Sequence, residues 1–246
     1  MKRATLSAAA PWITFIVGIA IVAVVLQALD SAAERSDELR LEQAADSLYA
    51  RIETQVQAQL SLLRATQAFI ETAAVTPSLD AFRAYVDQLR LRERYRGLQG
   101  LGFIQRVPAQ AVAATEQEFD ALYGRDFHIR PMNPAEDTYF PVVYLEPLDA
   151  RNQAVLGFDM LSEPTRKEAM ARAAASTEQA MSGFLTLRQD SDASRNQPGF
   201  LVFQAVRRAG PDAAPAVTGF VFAPFRAADF FRQAPSALSI WPPLPW

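Results

Sequence analysis

An uncharged apolar run near the N-terminus constrains this 246-residue chain more than any other feature. No Asp, Glu, Lys or Arg occurs between Arg3 and Asp30. In a helix, the roughly 19 residues of 11–29 extend about 28 Å, which matches the hydrocarbon thickness of a bilayer. Basic residues precede the run and acidic residues follow it. The positive-inside rule therefore predicts a cytoplasmic tip and transmembrane anchor at 1–30, with the rest of the chain exported.

A cleaved signal peptide is the alternative interpretation of this run. Ser31, Ala32 and Ala33 have the small side chains of a cleavage site. The run is nevertheless longer than the apolar region of a signal peptide, which is about 7–15 residues. We therefore expect an uncleaved single-pass anchor in the inner membrane, with the C-terminal domain in the periplasm or outside the cell.

The segment 31–77 is predicted to be a long stalk helix. Its apolar residues recur every three or four positions, which is the spacing of one helix face. A single apolar stripe has to pack against a partner, either the following domain or the same helix of a second subunit, and we expect a homodimer through the stalk. The stripe consists of Leu41, Ala45, Leu48, Ile52, Val56, Leu60, Leu63 and Ile70.

The residues after the stalk predict an α+β fold with an antiparallel sheet. Thr76-Pro77 ends the stalk, and Ser78 is placed to cap a helix that runs to about Tyr95. Strand-like runs then dominate and helices are segregated from them, as in a PAS-like sensory lobe. The predicted strands are 98–107, 127–130, 139–145, 184–189, 200–207 and 217–222, and the helices between them are 109–122 and 165–177. Residues 234–246 are a Pro-rich irregular tail.

Composition excludes several classes of function. The chain has no cysteine, so disulfides and thiolate metal sites are excluded, and its net charge of −3 argues against nucleic-acid binding. His128 alternates with apolar neighbours and is predicted to lie on the surface. A hydrolase using Ser162 would lack the usual nucleophile elbow, and 190–192 lack the Gly and Glu of a calcium loop. We expect no enzyme activity, no metal and no cofactor.

Asp159 is the strongest candidate for a binding residue. It stands in the block 157–162 between large apolar side chains, so it is expected to be partly desolvated and to need a hydrogen-bond donor. One interpretation is that Asp159 and Ser162 only cap the next helix. The other is a carboxylate at the mouth of an apolar pocket lined by strands near Phe103, Val142 and Tyr144, where it binds a ligand N–H or O–H.

Residues 97–229 resemble the CHASE domain, the extracellular sensory module of membrane-bound histidine kinases and nucleotide cyclases. Four motifs match in order and cover more than half of the chain, and the upstream anchor and stalk also suit the family. The matching residues are Gly100-Leu101-Gly102-Phe103 with Arg106-Val107, Phe119 to Gly124 with Phe127-His128-Ile129, Tyr139-Phe140-Pro141-Val142, and Gly157 to Ser162 with Arg166 and Ala169.

The resemblance implies that a ligand is sensed in a membrane-distal PAS-like lobe, residues 78–210. In plant members, which bind cytokinin, the residue matching Asp159 accepts hydrogen bonds from the ligand. The strand matching 180–189 supplies main-chain contacts, which adds Met181 and Asp190 as candidate ligand-binding residues. This chain departs from the family pattern at 184–185, so cytokinin does not transfer and the ligand is an unidentified small molecule.

The resemblance also implies a second lobe, which 211–233 are expected to begin and leave incomplete. The family continues with a second membrane helix and a cytoplasmic output domain. We therefore expect the truncated input part of a sensor histidine kinase or diguanylate cyclase, in which ligand binding is relayed through the stalk. The alternative is a ligand-free periplasmic interaction module that works with membrane partners.

Overall fold

The computed structural model describes residues 43, 46, 47, 49, 50, 53–73, 75–95, 97–186, 198–210 and 213–231. Within these ranges no helix has both the length and the apolar character needed to cross a bilayer. The predicted anchor at 11–29 and the tail at 234–246 lie outside the described residues. Residues 54–234 form one compact unit. The other unit, 1–53 with 235–246, is described only at six positions, all helical.

The first helix of the compact unit, α1 (54–72), is amphipathic. Residues at helical spacing are buried along one face, while Ser61 and Arg64 on other faces are exposed. The predicted positions Val56 and Leu60 are half-buried, and those before residue 53 lie outside the described part of the chain. The buried positions are Gln59, Leu62, Leu63, Thr66 and Ile70.

The buried face of α1 packs against the domain that follows it. The Arg208 guanidinium donates to the Ile70 carbonyl (2.9 Å), and the Arg207 N–H donates to the Glu71 carboxylate (2.6 Å). Leu62, Leu63 and Ile70 belong to the same hydrophobic core as the sheet. The domain that follows therefore contacts the buried face of α1 at 59–70, and the homodimer through the stalk stays a prediction.

Two further helices precede the sheet where one was predicted. Ser78 caps α2 (Leu79–Leu89) by accepting the Ala81 N–H (3.3 Å). Arg90 then adopts a left-handed conformation with φ of 50°, which ends α2 and separates it from α3 (Leu91–Arg94). The predicted helix from 78 to about 95 is thus interrupted at Arg90.

The main sheet is antiparallel. Its five strands lie in the order β4 (Val142–Glu146), β1 (Leu101–Gln105), β8 (Ala213–Arg226), β7 (Pro198–Gly210) and β5 (Ala180–Met181), and β6 (Leu185–Thr186) also pairs with β7. Helices are segregated from the strands, so the predicted α+β class is confirmed. The elements after α3 are β1 (Leu101–Gln105), β2 (Val107–Pro108), α4 (Val112–Tyr123), β3 (Thr138–Tyr139), β4 (Val142–Glu146), α5 (Ala150–Gln153), α6 (Pro164–Ala175), β5 (Ala180–Met181), β6 (Leu185–Thr186), β7 (Pro198–Gly210), β8 (Ala213–Arg226) and α7 (Ala227–Phe231).

The segment 127–130 is not a strand, and its one β-bridge within the described residues joins Arg130 to Phe158. Its N–H groups at Phe127 and Ile129 donate to the carboxylates of Asp120 and Glu116 on α4. These acidic side chains satisfy the N–H groups at 127 and 129, so strand pairing is limited to the bridge at Arg130. His128 is exposed, as its alternation with apolar residues predicted.

Residues 213–226 lie in the segment expected to begin a second lobe, and they pair with β1 and β7 of the sheet. Val221 lies opposite Phe103 of β1 on one side and opposite Gln204 of β7 on the other. A glycine is required beside this strand, because a Cβ on Gly102 would lie 2.3 Å from the ring of Phe222. β8 is therefore the middle strand of the five.

Candidate ligand-binding site around Asp159

The block that carries Asp159 is held in place by main-chain hydrogen bonds on both sides. The Arg130 N–H donates to the Gly157 carbonyl (2.9 Å), and the Asp159 N–H donates back to the Arg130 carbonyl (2.8 Å). On the other side the Val142 N–H donates to the Phe158 carbonyl (3.0 Å). Gly157 has a φ of +77°, and a Cβ there would lie 2.1 Å from the His128 carbonyl oxygen. Only glycine permits this close approach.

The Asp159 side chain is buried, with a relative exposure of 5% for the residue. Its Oδ1 accepts the N–H groups of Phe140 (2.7 Å) and Leu161 (3.4 Å), and the second of these bonds caps a 3₁₀ turn at Met160–Ser162. Oδ2 has no hydrogen bond within the described residues. The capping interpretation therefore accounts for one carboxylate oxygen and leaves the other available to a donor.

Burial raises the pKa of Asp159 above its usual value. The two main-chain hydrogen bonds oppose this shift, the nearby Glu136 carboxylate reinforces it, and Lys167 opposes it. Desolvation disfavours the charged form of a carboxyl group, and a hydrogen bond to the carboxylate favours that form. A ligand that donates a hydrogen bond to Asp159 would therefore lower its pKa and recover part of the cost of burial.

The helix after this block is capped by Glu163, although the sequence pointed to Ser162. Both carboxylate oxygens of Glu163 accept main-chain N–H groups, those of Thr165 (3.0 Å) and Arg166 (3.1 Å). Ser162 instead donates its hydroxyl to the Asp159 carbonyl (2.6 Å). The Arg166 guanidinium is buried and lies 5.0 Å from the centre of the Phe158 ring. Phe158, the residue before Asp159, therefore forms a cation–π pair with Arg166.

The three predicted pocket residues do not line one surface. Phe103 and Tyr144 are cross-strand partners with ring centroids 6.3 Å apart, so they share one face of the sheet. A β-bulge places Val142 opposite Ile104, on the other face. Phe140, whose N–H Asp159 accepts, contacts Phe220 on that second face (5.6 Å between ring centroids).

The structure thus brings Val142 to the side of Asp159 and separates Phe103 and Tyr144 from it. All three side chains are buried in the core, with exposures of 2% for Phe103, 0% for Val142 and 6% for Tyr144. Tyr144 contacts the ring of Phe82 on α2, and its hydroxyl donates to the Pro77 carbonyl (3.1 Å). Phe103 and Tyr144 therefore lie on the face of the sheet that α2 covers.

Met181 lies at the edge of the sheet, and Asp190 lies outside the described residues. Met181 pairs with Val202 of β7 and is 55% exposed. Its carbonyl accepts a hydrogen bond from the Arg172 guanidinium of α6. Its main chain is thus linked to α6, while its side chain faces solvent.

Sequence reasoning did not single out a charged groove beside α3. Two surface concavities of about 420 and 290 Å³ flank this helix, and Asp159 lines neither of them. Arg92 of α3 and Arg151 both lie within ion-pair distance of Asp149 there, after the end of β4. The alternation of arginine at 90, 92, 94 and 96 was a visible signal. The contact with Asp149 could be found only from the tertiary structure.

Comparison with family models matches residues 76–240, most of the chain, to the CHASE domain. The matched region begins just after α1 and spans the elements from α2 to α7. A search of the curated proteins found no match.

Proposed function

The chain belongs to the CHASE domain family, the extracellular sensory domains of histidine kinases and cyclases, and on this premise we propose that it senses a small molecule through Asp159. In this proposal an N-terminal membrane anchor holds the domain outside the cytoplasm. The chain acts as the input part of a sensor kinase or diguanylate cyclase. An output domain carries out the catalysis, and the domain described here in 54–231 binds the ligand and relays the signal.

The observation that carries this proposal is that only one of the two carboxylate oxygens of Asp159 accepts hydrogen bonds from the described residues. Its Oδ1 is taken by two main-chain N–H groups, and its Oδ2 has no hydrogen bond within the described residues. Oδ2 is not one of the fully enclosed polar atoms that lack a partner among the described residues, so it is open to water. A ligand N–H or O–H directed at Oδ2 would replace water there with a charge-assisted hydrogen bond.

The neighbours of Asp159 define the rest of the ligand. Phe158 and Met160 beside it are buried, and the Phe140–Phe220 contact continues the apolar surface. We therefore expect a mostly apolar molecule with one polar group, which is typical of small-molecule sites. Because burial already raises the pKa of Asp159, a ligand that carries a positive charge or a strong donor is favoured over a carboxylic acid.

The relay is proposed to run from the sheet edge to α1. Just before β5, Gln179 donates to the Leu60 carbonyl (3.1 Å), and Glu178 forms an ion pair with Arg64. These contacts connect the strand predicted to touch the ligand to the helix that leads towards the anchor. A ligand that displaces β5 would shift the packing of α1 between two arrangements.

The test is a thermal-shift screen of the exported domain against a metabolite library, with Asp159→Asn and Asp159→Ala in parallel. Asparagine keeps an oxygen for the Phe140 and Leu161 N–H groups and removes the charge. A ligand at about 100 times its Kd should stabilise the protein by about 2.7 kcal/mol. We expect a hit that Asp159→Asn abolishes while that variant melts close to the wild type.

The alanine variant separates binding from folding. Asp159→Ala removes the acceptor for both N–H groups as well, so we expect it to lose a further 1–2 kcal/mol, about the cost of a lost cap. Retention of the hit in Asp159→Asn would contradict the proposal. So would a library without hits on a domain that is folded.

A ligand-free interaction module is the second candidate, and one observation favours it. Phe103, Val142 and Tyr144, where the sequence predicted a pocket, are fully packed in the core. If this candidate is right, crosslinkers placed at exposed positions of α1, such as Ser61 and Ala65, should capture a different membrane protein. If every crosslink joins two copies of this chain, and a ligand is confirmed, the interaction-module candidate is rejected.

A further inference from the structure

A surface groove, the α3 groove, lies between α3, residues 97–100 and the segment 147–151. Its volume is about 420 Å³, which is enough for a small organic molecule. We propose that the α3 groove binds the carboxylate of a small apolar acid. This proposal does not depend on the role of Asp159, which lies outside the groove.

The charges in the α3 groove are unevenly paired. Asp149 Oδ2 lies 3.5 Å from the guanidinium of Arg92 and 3.5 Å from that of Arg151. Asp149 Oδ1 is already used, because it caps α5 by accepting the N–H groups of Arg151 and Asn152. One carboxylate oxygen therefore faces two cations, each of which has several N–H donors.

The groove lining carries two guanidinium groups, those of Arg92 and Arg151, and two carboxylates, those of Asp149 and Asp229. Asp229 of α7 lies 3.4 Å from the guanidinium of Arg226. A bound carboxylate would use the N–H donors that Arg92 and Arg151 do not direct at Asp149.

The two arginines can reach a ligand. Their side chains are 73% exposed for Arg92 and 50% exposed for Arg151, so most of their donors face solvent at the mouth of the groove. A guanidinium binds a carboxylate through two parallel hydrogen bonds, which gives both affinity and orientation. Arg92 and Arg151 are therefore the residues expected to hold the acid group.

The floor of the groove is apolar and fixed in shape. Leu91 and Leu98 are buried beneath it, and Tyr95 and Pro147 contribute further apolar surface. The buried Asn152 amide donates to the carbonyls of Gln99 (3.2 Å) and Pro147 (2.8 Å), and so ties two walls of the groove together. Preorganised walls reduce the cost of binding. The ligand class is thus a carboxylic acid with an aromatic or branched aliphatic body.

Benzoate is a suitable probe, and isothermal titration of the full chain is the measurement. Benzamide has the same ring without the charge and is the ligand control. We expect saturable binding of benzoate, none of benzamide, and weakening by salt. Arg92→Gln and Arg151→Gln should each reduce the affinity by about tenfold or more, because each removes charge-assisted hydrogen bonds.

The matched control variant is Arg94→Gln, which removes a cation from the same helix but outside the groove lining. It should bind benzoate like the wild type. Arg151→Lys keeps the charge without the planar fork and should fall between the wild type and Arg151→Gln. Melting curves of all variants show whether each is folded, and the exposure of the arginines predicts that they are.

A further variant, Asp159→Asn, separates this site from the one proposed above. It should leave benzoate binding unchanged whether or not Asp159 binds a ligand of its own. Loss of binding in Asp159→Asn but not in Arg151→Gln would overturn the α3 groove proposal. Equal loss in Arg94→Gln, or no saturable binding of benzoate at millimolar concentration, would also overturn it.

Discussion

At the scale of single residues, two neighbouring carboxyl groups have opposite electrostatic environments. Burial raises the pKa of Asp159, and its hydrogen bonds do not offset this. Desolvation also acts to raise the pKa of Glu163, but hydrogen bonds from Thr165 and Arg166 and the charge of Arg166 outweigh it, so the pKa is lowered. Asp159 is thus costly to keep charged, and Glu163 is stabilising when charged.

Glu163 gives a prediction about acid stability. Because its pKa is lowered in the folded state, its contribution is present above the ordinary pKa of glutamate and is lost as the pH falls through the folded value. Glu163→Ala should reduce the free energy of unfolding by about 1 kcal/mol at neutral pH. Urea titrations from neutral to acidic pH should show this difference shrinking.

Glu168→Ala is the control for that experiment. Glu168 lies on the same helix and is 62% exposed, and its one ion pair within the described part of the chain is with Arg172, one turn away. Such pairs contribute about 0.3–0.5 kcal/mol, so its effect on stability should be small. A Glu163→Ala effect that grows on acidification would contradict the capping role.

At the scale of elements, α1 functions as part of the domain core. Leu63 is fully buried in the cluster that includes the sheet, and Thr66 forms a hydrogen bond to the Tyr85 hydroxyl (3.1 Å). Leu63→Ala should therefore reduce the free energy of unfolding by about 2–5 kcal/mol, the usual cost of a core cavity. Ser61→Ala, exposed on the same helix, should change it by less than about 0.5 kcal/mol.

Equilibrium unfolding in urea with two probes tests the role of α1. If α1 is part of the core, circular dichroism and the fluorescence of a label on α1 report one transition in the wild type. A separate early loss of α1, or equal effects of Leu63→Ala and Ser61→Ala, would show that this helix is only loosely attached. The relay proposed above would then lack its mechanical link.

At the scale of the whole molecule, the position of β8 decides what the smallest folding unit is. β8 pairs with β1 on one side and with β7 on the other. A chain that ends at residue 210 should therefore fail to fold, because β1 and β4 would lose their connection to β7. A chain that ends at residue 231 keeps every strand of the sheet and should unfold cooperatively.

Circular dichroism and thermal melting of the two truncated chains check this expectation. If 211–233 began a separate lobe, the chain ending at residue 210 would melt cooperatively like the longer one. That outcome would support the predicted boundary at 210 and would contradict the expectation that β8 is needed for folding.

Sequence by itself determined the features that depend on local pattern. Helical spacing predicted the buried positions Leu63 and Ile70, Ser78 predicted the start of α2, and the segregation of strands from helices predicted the α+β class. The motifs around 157–162 also identified the family that the comparison shows. The residues that form each of these patterns are close together in the sequence, so the patterns can be recognised without the tertiary structure.

Only the tertiary structure decided which distant residues meet. The strand at 213–226 joins the first sheet because Val221 pairs with both Phe103 and Gln204. A β-bulge sends Val142 to the side of Asp159 and leaves Tyr144 on the opposite face. Likewise Arg92 meets Asp149 across the α3 groove. Strand order, bulges and groove walls depend on pairing between residues that are far apart in the sequence. The alternation of apolar and polar residues within one strand does not determine which strand it pairs with or which of its faces is buried.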